Sequence, residues 1–417
     1  MSASWKIALL FGVAFVWGVL TYRFIDILGE RDVDPETSGR PTERLPDEGK
    51  KIHVESETED LGVLRSLGYV TATFDPNSEQ RGVLIHNPEK AFQGVTLYDS
   101  VLRGQAFLLD MDGRPVHRWD YDVDPVSHVH VELLDSGDLL VQVYEQGLLK
   151  INKDSEVLWY HPDRVHHDLA IGGDGDIYLL TRHEAPYPRF HSETNSLEET
   201  VTRLSPDGQV KGKISLLDML LDSPYSFLLP TVNHLDFGAQ EGGLDLMHTN
   251  HIEFLQHTGS SLPEVFAEGH FMISMRNIST IAVFDWDEER VLWAWGPTNV
   301  SFQHHPTLLE NGNVLLFDNG REQSRVIEFN PETFEMHWEF APGPVFFSKT
   351  RGGAQRLPNG NTLVTESDKG YAFEITTEGE VVWRFANPEV NRRQEREILW
   401  RMKRFAVDEL PFLAEAS

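Results

Sequence analysis

One phrase recurs along this chain and restricts what the chain can fold into. A histidine, often with a second polar residue beside it, opens an apolar run. A Gly-centred turn follows, then a second apolar run. The phrase reads SHVHVELLDSGDLLVQV from Ser127, VHHDLAIGGDGDIYLL from Val165, HTNHIEFL from His248 and QHHPTLLENGNVLLF from Gln303. A fifth copy, GGAQRLPNGNTLVT from Gly352, carries Gln355 where the others carry His. Short apolar runs joined by Asp-Gly or Asn-Gly are β-hairpins. A phrase that returns along the chain signals a repeat architecture, in which one unit cannot bury its apolar face alone.

A second phrase alternates with the first: an apolar strand, a turn, and a strand bearing Trp. It appears around Trp119, Trp159, Trp293, Trp338 and Trp383, and a weaker copy without Trp ends near Ile214. Trp293, Trp338 and Trp383 are spaced 45 residues apart. Four strands in about 40–50 residues make one blade of a β-propeller. The chain is therefore expected to be all-β, a six-bladed propeller over residues 71–388. The His-led hairpin supplies the two inner strands of each blade and the Trp-led hairpin the two outer ones. The sixth inner hairpin has no motif; GVTLYDS from Gly94, running into AFLLD, is its candidate. Residues 183–200 and 215–245 break the repeat and read as insertions on one rim, where binding mouths are shaped.

The flanks differ from this core. Residues 7–22 read IALLFGVAFVWGVLTY without a charge, between Lys6 and Arg23, with Trp5, Trp17 and Tyr22 placed like interfacial aromatics. Residues 1–28 are read as an uncleaved signal anchor, a transmembrane helix that leaves the propeller on the periplasmic side of a cell inner membrane. Residues 29–70 are a polar, acidic tether with Pro35, Pro41 and Pro46; a short helix over 61–70 could pack on the domain. Residues 389–417 begin with a basic stretch whose Val390, Ile398, Met402 and Phe405 fall on one face. They are expected to form an amphipathic helix that packs on the propeller or docks a membrane-complex partner. The net charge of −30 argues against nucleic acid, which needs a basic face. The chain has no cysteine, hence no disulfide, thiolate metal site or Cys nucleophile.

Inner strands of a propeller line its axis, and their first residues share one rim. The heads of the phrase should therefore gather His128 and His130, His166 and His167, His248 and His251, and His304 and His305. Arg276, opening the turn after FMISM, could lean into the same mouth. Guanidinium binds tetrahedral oxyanions in bidentate fashion, and neutral imidazole can act as nucleophile, base or acid near neutral pH. A metal would also suit such a ring. Any single His at a strand end is more often only a hydrogen-bonded rim residue. Asp110 in DMDG and the GGDGD run from Gly172 read as hairpin turns, since the Glu of a Ca²⁺ loop is missing.

The phrases HTNHIEFL, ISMRNISTIAVFD, QHHPTLLENGNVLLFDNG and RGGAQRLPNGNTLVTES resemble the bacterial arylsulfotransferase (ASST-type) propellers. The resemblance spans residues 94 to about 388 and is most specific from His248 to Glu366. It implies sulfuryl transfer from a phenolic sulfate ester to a phenol, with no nucleotide sulfate donor, no cofactor and no metal. It also implies a transiently sulfated His, placed on His304 in preference to His305, with His248, Arg276 and His167 as the other catalytic residues. The sequence does not separate His167 from His166. His305, Asn250, His166, His251 and Gln355 are the substrate-binding candidates. The chain departs from well-known members in having no Cys for a disulfide and no large N-terminal domain, but an anchor and tether instead. The competing reading is a non-catalytic propeller that serves as a scaffold or accessory subunit of a membrane complex.

Overall fold

The computed structural model describes residues 72–100, 103–123, 129–230, 239–240, 243–256 and 263–416. The apolar N-terminal run, the tether, residues 61–70 and His128 lie outside them. Among the described residues, no helix is long and apolar enough to cross a membrane.

Six antiparallel sheets form the blades of the expected propeller. From the inside outward, blade 2 is Val129–Leu133, Leu139–Val143, Gly147–Ile151 and Val157–Pro162. Blade 3 is Val165–Ile171, Ile177–Ala185, Ser196–Leu204 and Val210–Ser215. Blade 4 is Thr249–Phe254, His270–Met275, Thr280–Asp285 and Arg290–Trp295, and blade 5 is His304–Leu308, Val314–Asp318, Arg325–Phe329 and Met336–Phe340. Blade 6 is Gly353–Arg356, Thr362–Glu366, Tyr371–Ile375 and Val381–Ala386, with Gly82–His86 added as a fifth, outermost strand. That added strand covers an edge that would otherwise be open to pairing. Second and third strands are buried on both faces, which is why their sequences read as continuous apolar runs.

The recurring Trp joins neighbouring blades. Trp119 of blade 1 donates Nε1–H to the Gly137 carbonyl in a turn of blade 2, at 3.0 Å. Trp159 does the same to Pro206 of blade 3, Trp338 to Thr377 of blade 6, and Trp383 to Met111 of blade 1. Gly208 shows how closely these rings pack, since a Cβ there would lie 2.9 Å from the Trp159 ring.

Blade 1 departs from the sequence reading. Val95–Ser100 and Gln105–Leu109 are its second and third strands, not its inner hairpin; Pro115–Asp120 is the fourth. Its innermost strand is Lys403–Phe405, from the far end of the chain, paired with Val95–Leu97. The sixth inner hairpin therefore exists, but its two strands lie some 300 residues apart in sequence and share no turn.

The C-terminal amphipathic helix is overturned by the same pairing. Glu395–Glu397 pairs with Ala72–Phe74, Lys403–Phe405 closes blade 1, and only 3₁₀ turns follow at Val407–Glu409 and Pro411–Ala416. An unpaired strand edge facing the axis outweighs weak helical periodicity. Two of the arginines expected on a basic surface are instead buried ties, while Arg392 and Arg393 stay exposed. Arg404 is 2% exposed, with Nη1 2.5 Å from Glu374, its guanidinium 4.4 Å over the Trp383 ring and Nε donating to Thr96. Arg396 is wholly buried against Asp75, the Asn387 carbonyl and the Tyr371 ring. Gln355 clips the same seam, donating to the Arg404 carbonyl and accepting the Arg404 N–H, both at 2.8 Å.

Arg404→Met leaves Glu374 buried without its partner and should cost about 3–5 kcal/mol. The urea midpoint measures this, and an unchanged midpoint would show that the seam is held elsewhere.

Candidate functional site

Three of the His-led strand heads carry a break in register, between Val165 and Leu169, between Thr249 and His251, and between His304 and Thr307, while the His130 strand pairs without one. A bulge re-aims side chains at the cost of local strain. Here it coincides with left-handed backbone at three non-glycine residues, His167 (φ 57°), His248 (φ 53°) and His305 (φ 51°). The result is two polar layers across the axis. His167, His248 and His304 make the upper one; His130, Asp168, His251, His305 and Arg401 make the lower one.

In the upper layer, His167 and His248 meet through their Nε2 atoms at 2.9 Å. His248 Nδ1 lies 2.5 Å from the Asp245 carboxylate, so that nitrogen carries the proton. His248 Nε2 then accepts from His167 Nε2–H, and a carboxylate–imidazole–imidazole chain results. His304 is oriented from its other side. Asn319 donates its amide to the Ser348 and Arg351 carbonyls, so its oxygen must face His304 Nδ1, 2.7 Å away. His304 therefore presents an unprotonated Nε2, which has no hydrogen-bond partner among the described residues. Arg276 opens the turn after His270–Met275, its N–H bonded to the His248 carbonyl at 3.0 Å. Its guanidinium lies 4.8 Å over the Phe302 ring, next to the His304 strand head.

Burial governs the protonation of this layer. It pushes His304 and His167 well below the ordinary value, and the Arg276 charge beside His304 and the neighbouring His248 beside His167 add to the push. Burial lowers His248 as well, against the opposing pull of Asp245. Burial would raise Asp245, but His248 and Arg182 outweigh it and hold that carboxyl at about 2. The site thus offers neutral imidazoles beside two guanidinium groups.

The lower layer centres on Asp168, which is 1% exposed. Arg401 Nη2 lies 3.0 Å from it, His130 Nε2 3.1 Å, and His251 Nδ1 is bonded to it. Burial would raise this carboxyl too, but Arg401, His251 and His130 hold it well below the usual carboxylate range. His305 packs edge-on to His251 at 4.8 Å and bonds the Ala354 carbonyl through Nδ1 at 2.9 Å. Gly353 leaves the space through which Arg401 passes, since a Cβ there would lie 3.3 Å from its side chain. Beyond this layer the axis widens into a cavity of about 1330 Å³, lined by hairpin turns and by His251, His305 and Arg401. None of His167, His248, His304 and Arg276 lines that cavity.

The structure thus separates paired candidates that the sequence leaves open. His304 shares a layer with His248, and His305 does not. His167 touches His248, whereas His166 lies behind it, wholly buried. Asn250 donates across the blade 4–blade 5 boundary to the Gln303 carbonyl at 2.8 Å, and Gln355 is occupied at the blade 1 seam. Sequence reasoning missed Asp245 and Asn319, which fix the tautomers, and Trp400. That indole comes from the tail; its ring is 6.0 Å from His167 and 6.3 Å from His130, with the Arg351 guanidinium 5.2 Å over it. It also missed Tyr144, whose hydroxyl accepts from Arg182 at 2.5 Å and whose ring is 6.0 Å from His167. A lone polar residue two or three positions from a His carries no sequence signal; only the fold pairs them.

His166 supplies a pH test. Burial depresses it well below its unfolded value of 6.5, so the unfolded chain takes up this proton first as pH falls. Its cost therefore appears below about pH 6.5, at up to about 1.4 kcal/mol per pH unit. His166→Leu should gain on the wild type progressively between pH 7.5 and 5.5 in urea melts. A constant difference over that range would show that His166 titrates normally in the fold.

The sequence model of the family "Arylsulfotransferase (ASST)" matches residues 130–388. No curated protein sequence matches the chain. Among solved structures, a protein of unknown function from Bacteroides caccae is 12% identical with a TM-score of 0.49; the alignment covers 75% of this chain and 99% of that one. A virginiamycin B lyase from Staphylococcus aureus, solved as a catalytically inactive variant with quinupristin, is 15% identical with a TM-score of 0.38, covering 64% and 72% of the two chains. A dihydro-heme d1 dehydrogenase is 14% identical with a TM-score of 0.41, covering 79% and 78%. The family match takes in five of the six blades, together with His167, His248, Arg276 and His304, and on that match the chain belongs to the arylsulfotransferase family.

Proposed function

We propose that the protein transfers a sulfuryl group from a phenolic sulfate ester to a phenol through a sulfated His304. The observation that carries this reading is the His304 imidazole. Its Nδ1–H is fixed on Asn319, its Nε2 is unprotonated, and Arg276 and the His167–His248 pair stand beside it.

In the first half-reaction His304 Nε2 attacks sulfur, the N–S bond forms and the S–O bond to the aryl group breaks. The phenolate leaves with the bonding pair, and Arg276 offsets the negative charge on the sulfuryl oxygens. In the second, His167 takes the proton of the acceptor phenol. The acceptor oxygen attacks sulfur, the N–S bond breaks and His304 is restored. The His167 proton, stabilised through His248 by Asp245, returns to the first phenolate by way of solvent, so atoms and charge balance. This is ping-pong chemistry, and it asks nothing of a metal or a nucleotide. The Trp400 indole beside His167 gives an aryl ring a flat apolar wall, an interaction that ring pairs strengthen by about 0.5–1.5 kcal/mol. We further propose that residues 7–22 anchor the protein to the inner membrane with the propeller on the periplasmic side; retention in the membrane pellet after alkaline carbonate washing would test it.

Incubation with a chromogenic aryl sulfate alone should add one SO₃ group to His304, detectable by peptide mass spectrometry. His304→Ala should lose both the adduct and at least about a thousandfold in turnover. A wild type that releases no chromophore from a broad donor panel with phenol present would refute the assignment. Trp400→Leu should raise KM for aryl sulfates about 3- to 10-fold and leave alkyl sulfate turnover unchanged. An equal effect on both would deny Trp400 any part in reading the ring.

A further inference from the structure

Phe302 precedes the QHHP phrase and is half-buried at the rim of the site, its backbone held in the left-handed region at φ 59°. Its carbonyl accepts from His304 Nδ1 at 3.0 Å, so its backbone is tied to that imidazole. Two guanidinium groups share this ring: Arg276 at 4.8 Å and Arg321 at 5.3 Å from its centroid. Arg321 lies in the turn between Val314–Asp318 and Arg325–Phe329 of blade 5. That turn is tied to the Phe302 segment, since the Gly320 N–H bonds the Ser301 carbonyl at 3.0 Å. A Cβ on Gly320, at φ 65°, would meet the Gln323 carbonyl oxygen at 2.0 Å, so the turn that carries Arg321 needs glycine there.

Neither arginine has a carboxylate within ion-pair distance among the described residues. Of the acids at this turn, Asp318 pairs with Arg325 at 2.8 Å and accepts the Ser301 N–H at 2.8 Å, and the exposed Glu322 that follows Arg321 makes no ion pair with it among the described residues. Two like charges on one aromatic ring repel each other unless an anion lies near both. The chain as a whole carries −30, so its general field repels an anionic donor, and a local cationic patch must overcome that field. A neutral phenol feels neither effect.

Resting on the sulfuryl-transfer reading above, we propose that Arg321 and Phe302 form an outer capture subsite for the sulfate monoester anion. Arg321 receives the donor from solvent and passes it across the Phe302 face to Arg276 and His304. Arg276 contacts the reacting group; Arg321 acts before it, on donor encounter. The subsite sets donor specificity towards anions and leaves the acceptor half-reaction alone.

Ping-pong kinetics separate the two halves. Arg321→Ala should lower kcat/KM for an aryl sulfate donor about 10-fold at low salt and only about 2-fold at 0.5 M NaCl, because exposed charges are screened. kcat/KM for a neutral phenol acceptor should not change. Arg321→Lys should recover most of the loss, and Arg290→Ala, on the outer edge of blade 4, should match wild type. An unchanged donor kcat/KM in Arg321→Ala, with the wild type active, would overturn the capture subsite and leave the sulfuryl-transfer reading standing. Equilibrium binding of 4-nitrobenzenesulfonate, whose C–S bond cannot be transferred, gives a second readout that does not depend on turnover. Arg321→Ala should weaken it about 10-fold at low salt; equal binding by variant and wild type would overturn the subsite even if no donor turned over.

Discussion

The pairing of Lys403–Phe405 with Val95–Leu97 is the contact on which the rest of the molecule depends. A propeller is a ring of sheets that gains its core only when the last blade meets the first. Here one strand from the C-terminal tail completes a blade begun near residue 95. The buried Arg404–Glu374 pair and the two Gln355 bonds lock that strand to blade 6. A buried ion pair of this kind adds little net stability over an apolar pair, but it tolerates only one register. The seam therefore fixes which residue of the tail stands where.

The site inherits that register. Trp400 and Arg401 immediately precede the closing strand. The Leu399 N–H and the Trp400 carbonyl are both bonded to Ser367, and the Met402 N–H to Thr365. The same short segment thus sets an aromatic wall in the upper layer and a cation in the lower one. Asp168 binds that cation together with His130 and His251, so tail and blades 2, 3 and 4 meet at one buried carboxylate. The lower layer closes the axis beneath the upper imidazoles and sets them apart from the large cavity at the other end. Water exclusion from below strengthens every charge interaction above.

The site holds neutral histidines in chosen tautomers. Burial keeps them neutral, while Asn319 and Asp245 decide which nitrogen holds the proton. The left-handed backbone at His167, His248 and His305 shows the cost of turning side chains inward at strand heads, about 1–3 kcal/mol each. A fold stabilised by six interlocking sheets can carry such strain, and the recurring Trp-to-carbonyl bonds between blades help to supply that stability.

Much of this was legible in the sequence because periodicity is a local property. Hairpin turns, strand lengths and the 45-residue interval specify blades, and identical places in the repeat put His248 and His304 at one rim, with Arg276 in a turn that could lean into it. Three things were not legible. The tail's apolar spacing suggests a helix, because nothing local reveals that a strand edge more than 300 residues earlier needs a partner. The choice between His304 and His305, or His167 and His166, depends on a bulge that turns alternate residues up or down the axis. The side chains that contact the site histidines, namely Asp245, Asn319 and Trp400, stand away from the head of the His phrase or far off in sequence. The sequence by itself determined a six-bladed all-β repeat with a ring of histidines. Only the tertiary structure decided which imidazoles face one another, since that follows from ring closure and bulge geometry, which no window of the chain contains.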